Sequence, residues 1–129
     1  MKDLTALVGR ALMASLFILS GWGKLTGFSG TAGFIGSKGL PMPQVLAALA
    51  VAVELGGGIL LLVGLKARWV ALAFMGFMIV ITPIFHTFWD VPAAQAQMQQ
   101  IHFMKNVAIL GGLLMVAAFG PGRFSIDRT

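Results

Sequence analysis

Four long apolar stretches are the feature that most constrains this chain. They cover about residues 4–24, 44–65, 69–88 and 101–119 and contain few charged side chains. Each is close to the roughly 20 residues that an α-helix needs to cross a hydrocarbon core about 30 Å thick. Because lipid offers the backbone no hydrogen-bond partners, such segments cross the bilayer as helices. The sequence therefore predicts an all-α fold, an integral membrane four-helix bundle.

The composition supports the same class. Hydrophobic residues make up 58% of the 129 residues and charged residues 10%, whereas a soluble domain carries about 25% charged residues. A water-soluble globule is excluded, and so is a disordered chain, which needs high charge and low hydrophobicity. We expect one domain over residues 1–129, with the lipid bilayer as its first partner.

The cysteine count and the charge exclude further classes. The chain has no cysteine, so it carries no disulfide scaffold, thiolate metal site or Fe–S cluster of its own. Its net charge is +5, but the basic residues stand singly at the ends of apolar runs. This placement indicates membrane topology and not a nucleic-acid partner.

The distribution of lysine and arginine predicts the orientation. If the four stretches cross the membrane in turn, one side holds five basic residues (Lys2, Lys66, Arg68, Arg123 and Arg128) and the other holds three (Lys24, Lys38 and Lys105). Cytoplasmic loops are enriched in basic residues. We therefore expect a multi-pass membrane protein with both termini in the cytoplasm.

Charged residues inside the apolar stretches are the candidate site. Arg10, Glu54 and Lys105 lie within the first, second and fourth stretches, where an ionisable group costs about 2.5–3.5 kcal/mol unless it is paired or hydrated. Helix rise places Glu54 near the midplane, with Arg10 and Lys105 within reach from neighbouring helices. We expect these two cations to neutralise Glu54, and Lys24 to extend towards the interface.

Two interpretations of these charges remain open. One acid between two bases leaves a positive interior, which suits a small anion or a quinone carbonyl. The alternative is a purely structural ion pair that fixes the register of the helices.

Two histidines lie near the outer face. His86 ends the third stretch, and His102 begins the fourth, close to Lys105 and Asn106. The histidine spacing lacks a tight ligand motif, which argues against haem or a metal site even with Asp90 nearby. Either imidazole could carry protons near neutral pH.

The order of the motifs resembles the DoxX family of small membrane proteins. The resemblance rests on Arg10, the segments FILSGWGKL (17–25), GLP (39–41), ELGGG (54–58), LVG (62–64), Lys105-Asn106 with GGLL (111–114), and GPGRFSID (120–127). It covers nearly the whole chain. It implies a four-helix bundle in the bacterial inner (cytoplasmic) membrane, with the polar positions of the family at Arg10, Lys24, Glu54 and Lys105.

The resemblance also implies redox chemistry, because some DoxX proteins look like subunits of quinone-linked oxidoreductases. We therefore expect a membrane subunit that binds a quinone or a small anion between its helices and acts with a redox partner. The polar core would comprise Arg10, Lys24, Glu54, His86, His102, Lys105 and Asn106. The alternative is a scaffold, or a transporter of small solutes or lipids, without chemistry. Glycine-rich helix faces would also allow a homo-oligomer.

Overall fold

The computed structural model describes residues 1–126, so Asp127 and Arg128 lie outside the described residues. Within them the chain forms five helices and no strand: α1 (Lys2–Thr26), α2 (Phe28–Ser37), α3 (Pro43–Val63), α4 (Ala67–Phe85) and α5 (Ala93–Phe119). All but α2 are long and apolar enough to cross a membrane. The predicted all-α membrane fold is confirmed.

Two helix boundaries differ from the hydropathy pattern. α5 begins at Ala93, eight residues before the predicted start, because the alanine- and glutamine-rich segment forms helix although it is not apolar. α4 ends at Phe85 and not at Phe88. Pro83 lies in its last turn, where it removes one backbone donor, and His86 has left the helical conformation.

α2 is a short helix, Phe28–Ser37, between the first and second apolar stretches. Ala32 and Ile35 on its inner side pack with Ala47 of α3, and Phe28, Leu40, Leu46 and Phe85 surround them. α2 therefore closes one end of the bundle, which we call the α2 end. The opposite end, called the terminal end, carries the start of α1, the α3–α4 turn and the end of α5.

The main core lies between α1, α3, α4 and α5. The Phe17 and Phe74 rings stack with their centroids 3.8 Å apart, and Leu61 and Leu113 are fully buried beside them. Gly57 leaves the space that the Phe74 ring fills, since a Cβ there would lie 2.8 Å from Phe74 Cζ.

α1 and α3 approach each other closely along their length. A Cβ on Gly21 would lie 2.8 Å from the backbone nitrogen of Leu55, and one on Gly58 would lie 2.8 Å from Ile18. Such close packing brings the polar side chains of α1 within reach of α3.

α4 and α3 diverge from their shared turn. α4 packs against the last part of α3, Gly57–Val63, and along α5. Towards the α2 end, α3 leans instead on α1 and α2. The resulting wedge between α3 and α4 holds the site.

Candidate functional site

A buried ion pair joins α1 to α3. The Nζ of Lys24 lies 2.9 Å from Oε1 and 3.0 Å from Oε2 of Glu54, and it also donates to Oγ of Ser20 at 2.8 Å. The Glu54 side chain is 4% exposed and that of Lys24 is 33% exposed. Ser20 and Lys24 stand one turn apart on α1, so the same helix face supplies both partners.

Glu54 sits at the centre of an irregular turn. Residues Ala52–Gly56 form a single π-helical turn within α3. Such turns are rare in α-helices and frequent at functional sites. The sequence indicated the unusual carboxylate but gave no sign of the changed backbone around it.

The predicted pairing of Glu54 is wrong. Glu54 binds Lys24, and neither Arg10 nor Lys105 takes part. Arg10 lies 14 residues before Lys24 on α1, which is about 21 Å along the axis, so the two cations serve different ends of the bundle. The rise per residue of a helix places Glu54 near the middle of its helix, within reach of cations from either end of the bundle. It does not determine which cation pairs with Glu54.

Arg10 binds backbone carbonyls at the terminal end. Its guanidinium donates to the oxygen of Phe124 at 2.7 Å, to that of Leu62 at 3.2 Å, and to that of Pro121. The residue is 3% exposed. Arg10 therefore ties the last turn of α3 to the segment after α5. A cavity of about 290 Å³ lies beside Arg10, between α1 and α5.

The other candidates lie in three separate places. His86 Nδ1 lies 3.0 Å from Gln99 Oε1, and its ring lies 5.2 Å from that of His102. Since an amide oxygen only accepts, the contact with Gln99 requires the proton on Nδ1 of His86. Asn106 donates to the buried hydroxyl of Thr82 at 3.1 Å and joins α5 to α4. Lys105 is exposed on the outer side of α5, apart from the core.

A cavity of about 500 Å³ brings three of the predicted residues together. Its polar groups include Lys24, Glu54 and His86, and the remaining wall is almost entirely apolar. The wall is built from α2, the first half of α3 and the second half of α4, with lining residues that include Ile35, Leu46, Ala50, Val53, Phe77 and Ile81. Small-molecule sites commonly have this size and this arrangement of a few polar groups in an apolar wall.

Three lining residues of the cavity are more than half exposed. Leu49 on α3 and Val80 on α4, at its side, are 56% and 61% exposed, and Phe34 on α2 is 54% exposed. At the α2 end, Phe34 stacks on Phe85 with centroids 5.5 Å apart. The site is therefore a pocket between helices with a mouth on the lipid-facing surface, and an ion pair in its wall.

Comparison with known proteins identifies the family. The DoxX family profile matches residues 5–87. The chain belongs to the DoxX family. It is 38% identical over 128 residues to the inner membrane protein YqjF of Escherichia coli (strain K12), covering 99% of this chain and 93% of that protein. The inner membrane protein YphA of the same organism is 36% identical, over 98% of this chain and 91% of its own length.

A more distant relative carries a functional name. CatD of Bacillus subtilis (strain 168), whose name gives it as a candidate oxidoreductase, is 36% identical over 72 residues, which are 56% of this chain and 52% of that protein. No solved structure matches the chain. The family and the membrane fold are thus established, and the ligand has to be argued from the cavity.

Proposed function

We propose that this DoxX protein is the membrane subunit of an oxidoreductase assembly in the bacterial inner membrane and binds a quinone in the cavity between α2, α3 and α4. The observation that carries the proposal is the Lys24–Glu54 pair in the wall of a cavity that is otherwise apolar. An ionisable pair inside a membrane bundle is costly, which favours a functional role for it.

The chemistry of a quinone fits this setting. A quinone has a flat ring with polar oxygens and an isoprenoid tail, so it needs an apolar slot with polar groups at one point. The cavity offers both, and its mouth between Leu49 and Val80 leaves an exit for the tail. The oxidoreductase name of CatD and the inner-membrane names of the other relatives support the same assignment.

The partner would supply or remove the electrons. The chain contains no cysteine, so any thiol chemistry in the assembly belongs to another protein. A bound quinone would supply the two-electron, two-proton chemistry. In this chain Lys24 and Glu54 would hold the polar ring, and the apolar wall would orient it. His86, with His102 behind it, would carry protons towards the α2 end.

The test is the quinone content of the purified protein. The full chain is purified in native-lipid nanodiscs, extracted with organic solvent, and the quinone is quantified per chain, with an absorption spectrum of the intact sample. We expect about one quinone per chain. Ala50→Trp should abolish this content because Ala50 lines the cavity, while Ala48→Trp, on the exposed side of the same helix, should retain it.

The alternative function gives a different result. A scaffold or a transporter would contain no stoichiometric quinone, and a short-chain quinone would not bind on titration. Equal quinone content in Ala50→Trp and Ala48→Trp would place any bound quinone outside the cavity and would contradict the assignment of the site.

A further inference from the structure

We infer that the cavity selects a hydroxyl-bearing, uncharged amphiphile, the quinol form, which enters sideways from the bilayer and donates a hydrogen bond to Glu54. This inference rests on the proposed function and names the redox form and the entry route. It also decides between the quinone and the small anion that the sequence left open.

Lys24 has no hydrogen-bond donor left for a ligand. An ammonium group has three donors and no acceptor. The Nζ of Lys24 already has three acceptors, namely Oγ of Ser20 and both carboxylate oxygens of Glu54, at 2.8–3.0 Å. A ligand that only accepts hydrogen bonds, such as a quinone carbonyl or an oxyanion, must displace one of these contacts.

Glu54 can accept further hydrogen bonds. An ionised carboxylate offers about four acceptor positions, and Lys24 uses one on each oxygen. Acceptor capacity is therefore left in a wall of the cavity, whereas donor capacity is not. A ligand hydroxyl can use it without breaking the ion pair, and a hydrogen bond to a charged group is among the stronger ones.

The net charge of the cavity wall bears on whether an anion could bind. Lys24 and Glu54 together are neutral, and the two cations that could have made the interior positive lie elsewhere. Arg10 is engaged by carbonyls at the terminal end, and Lys105 is on the outer side of α5. An anion in the cavity would lie beside the Glu54 carboxylate with neither Arg10 nor Lys105 to compensate its charge, so the cavity disfavours it.

The position of the cavity mouth indicates how a ligand enters. Leu49 lies six residues after the start of α3 and Val80 five residues before the end of α4, which places the mouth about 8 Å below the helix ends. Both residues are more than half exposed on the lipid-facing surface. Ile35 and the stacked rings of Phe34 and Phe85 line the cavity towards the α2 end. A ligand dissolved in the bilayer reaches this mouth directly.

The experiment compares ligands that differ in one group. The full chain in nanodiscs of phosphatidylethanolamine and phosphatidylglycerol is titrated anaerobically, by calorimetry, with a decyl benzoquinol, its dimethyl ether and the corresponding quinone. Decyl sulfate and decanol serve as the anionic and the aliphatic hydroxyl probes. We expect the quinol to bind about tenfold more tightly than the ether or the quinone, as one hydrogen bond to a charged group allows, and decyl sulfate not to bind.

Two sets of variants locate the effect. In Lys24→Met/Glu54→Leu, which leaves no unpaired charge and no acceptor at position 54, the preference for the quinol over its ether should disappear. Val80→Trp should weaken every ligand at least tenfold by narrowing the mouth. Ile79→Trp, equally exposed but outside the cavity lining, should bind like the parent protein. The ligand series on the parent protein needs no variant and decides the matter if the double variant does not fold.

The outcomes are distinguishable. Equal binding of quinol, ether and quinone overturns the inference and leaves the proposed function standing. Tight binding of decyl sulfate overturns the inference as well. If decanol binds as tightly as the quinol, the preference for a hydroxyl donor stands, but the source is a lipid alcohol and the quinone function fails. Extraction in air recovers both redox forms as quinone, so the quinone content tests the function independently of the preferred form.

Discussion

At the scale of single residues, the Lys24–Glu54 pair combines a stabilising contact with an energetic liability. Breaking a buried pair by removing one partner typically costs about 3–5 kcal/mol, because the remaining charge is left uncompensated. Glu54 is the more buried partner, at 4% exposure against 33% for Lys24. The two single variants should therefore be unequal, since an ammonium that is already one-third exposed can move towards water.

This asymmetry gives the first prediction. Lys24→Met should lower the free energy of unfolding by about 3–5 kcal/mol, and Glu54→Leu by less. The double variant Lys24→Met/Glu54→Leu should recover most of the loss, because no charge is then left buried. Unfolding in mixed micelles with increasing dodecyl sulfate measures all three. Lys105→Met, a change of an exposed lysine, is the matched control and should unfold like the parent protein.

The pairing would be contradicted by additive effects. If the double variant loses the sum of the two single losses, Lys24 and Glu54 do not compensate each other. Recovery in the double variant would show instead that the ion pair is not needed for folding, which is consistent with a role in binding.

Arg10 makes a different kind of contact, with carbonyls in place of a carboxylate. Arg10→Leu should lower the free energy of unfolding by at least about 2 kcal/mol, since several carbonyls lose a charged donor. It should also release the segment after α5, which the guanidinium holds through Pro121 and Phe124. Faster trypsin cleavage after Arg123 would report that release. Arg68→Leu, an exposed arginine, is the control, and an unchanged cleavage rate in Arg10→Leu would contradict the role of Arg10 as a clasp.

At the scale of helices, the sequence was sufficient to predict which segments form long helices. It was insufficient to predict which side chains pair between them. The apolar stretches predicted all four long helices because length and hydropathy are properties of one segment at a time. Which cation meets Glu54 depends on how α1 and α3 are placed against each other, and each cation lies within reach of a helix midpoint. The π turn around Glu54 and the extension of α5 through its glutamines also depend on backbone and solvent details that hydropathy does not contain.

The cavity illustrates the same limit. Lys24, Glu54 and His86 were singled out as polar residues, but nothing in the pattern indicated that they would share one cavity without Arg10 and Lys105. Ser20, one turn from Lys24, was missed, although the spacing of a hydroxyl four residues before a lysine was visible in the sequence. The role of α2 as a wall of the cavity follows from its docking on Ala47 and required the fold.

Close packing of α1 on α3 can be tested with glycines on one helix. Gly21→Ala would place its Cβ 2.8 Å from the Leu55 backbone nitrogen, so the helices must separate, and we expect a loss of about 1–3 kcal/mol. Because the same contact line carries Lys24 to Glu54, quinol binding should weaken in parallel. Gly23→Ala on the same helix meets no atom within 4 Å and should be neutral or slightly stabilising. Equal stability of the two variants would exclude tight packing at Gly21.

At the scale of the whole molecule, the orientation of the bundle in the membrane determines which side the basic residues and the cavity mouth face. Four crossings would put the start of α1, the α3–α4 turn and the end of α5 on the same side, and α2 with His86 on the other. The side with Lys2, Lys66, Arg68 and Arg123 is richer in basic residues, which predicts that it faces the cytoplasm. In that orientation the mouth of the cavity lies in the outer leaflet, and protons released at His86 would leave the cytoplasmic membrane on its outer side.

Because the chain has no cysteine, a single introduced one reports orientation cleanly. Cysteine at position 66, as Lys66→Cys, should stay unlabelled by a membrane-impermeant maleimide in intact cells and react once the cells are opened, since the α3–α4 turn would be cytoplasmic. Gln97→Cys, on the exposed first turns of α5, should react in intact cells. Reversed labelling at both positions would move the cavity mouth to the inner leaflet and direct the proton route to the cytoplasm. The ligand chemistry argued for Lys24 and Glu54 would be unchanged, because it depends on contacts within the bundle and not on its orientation.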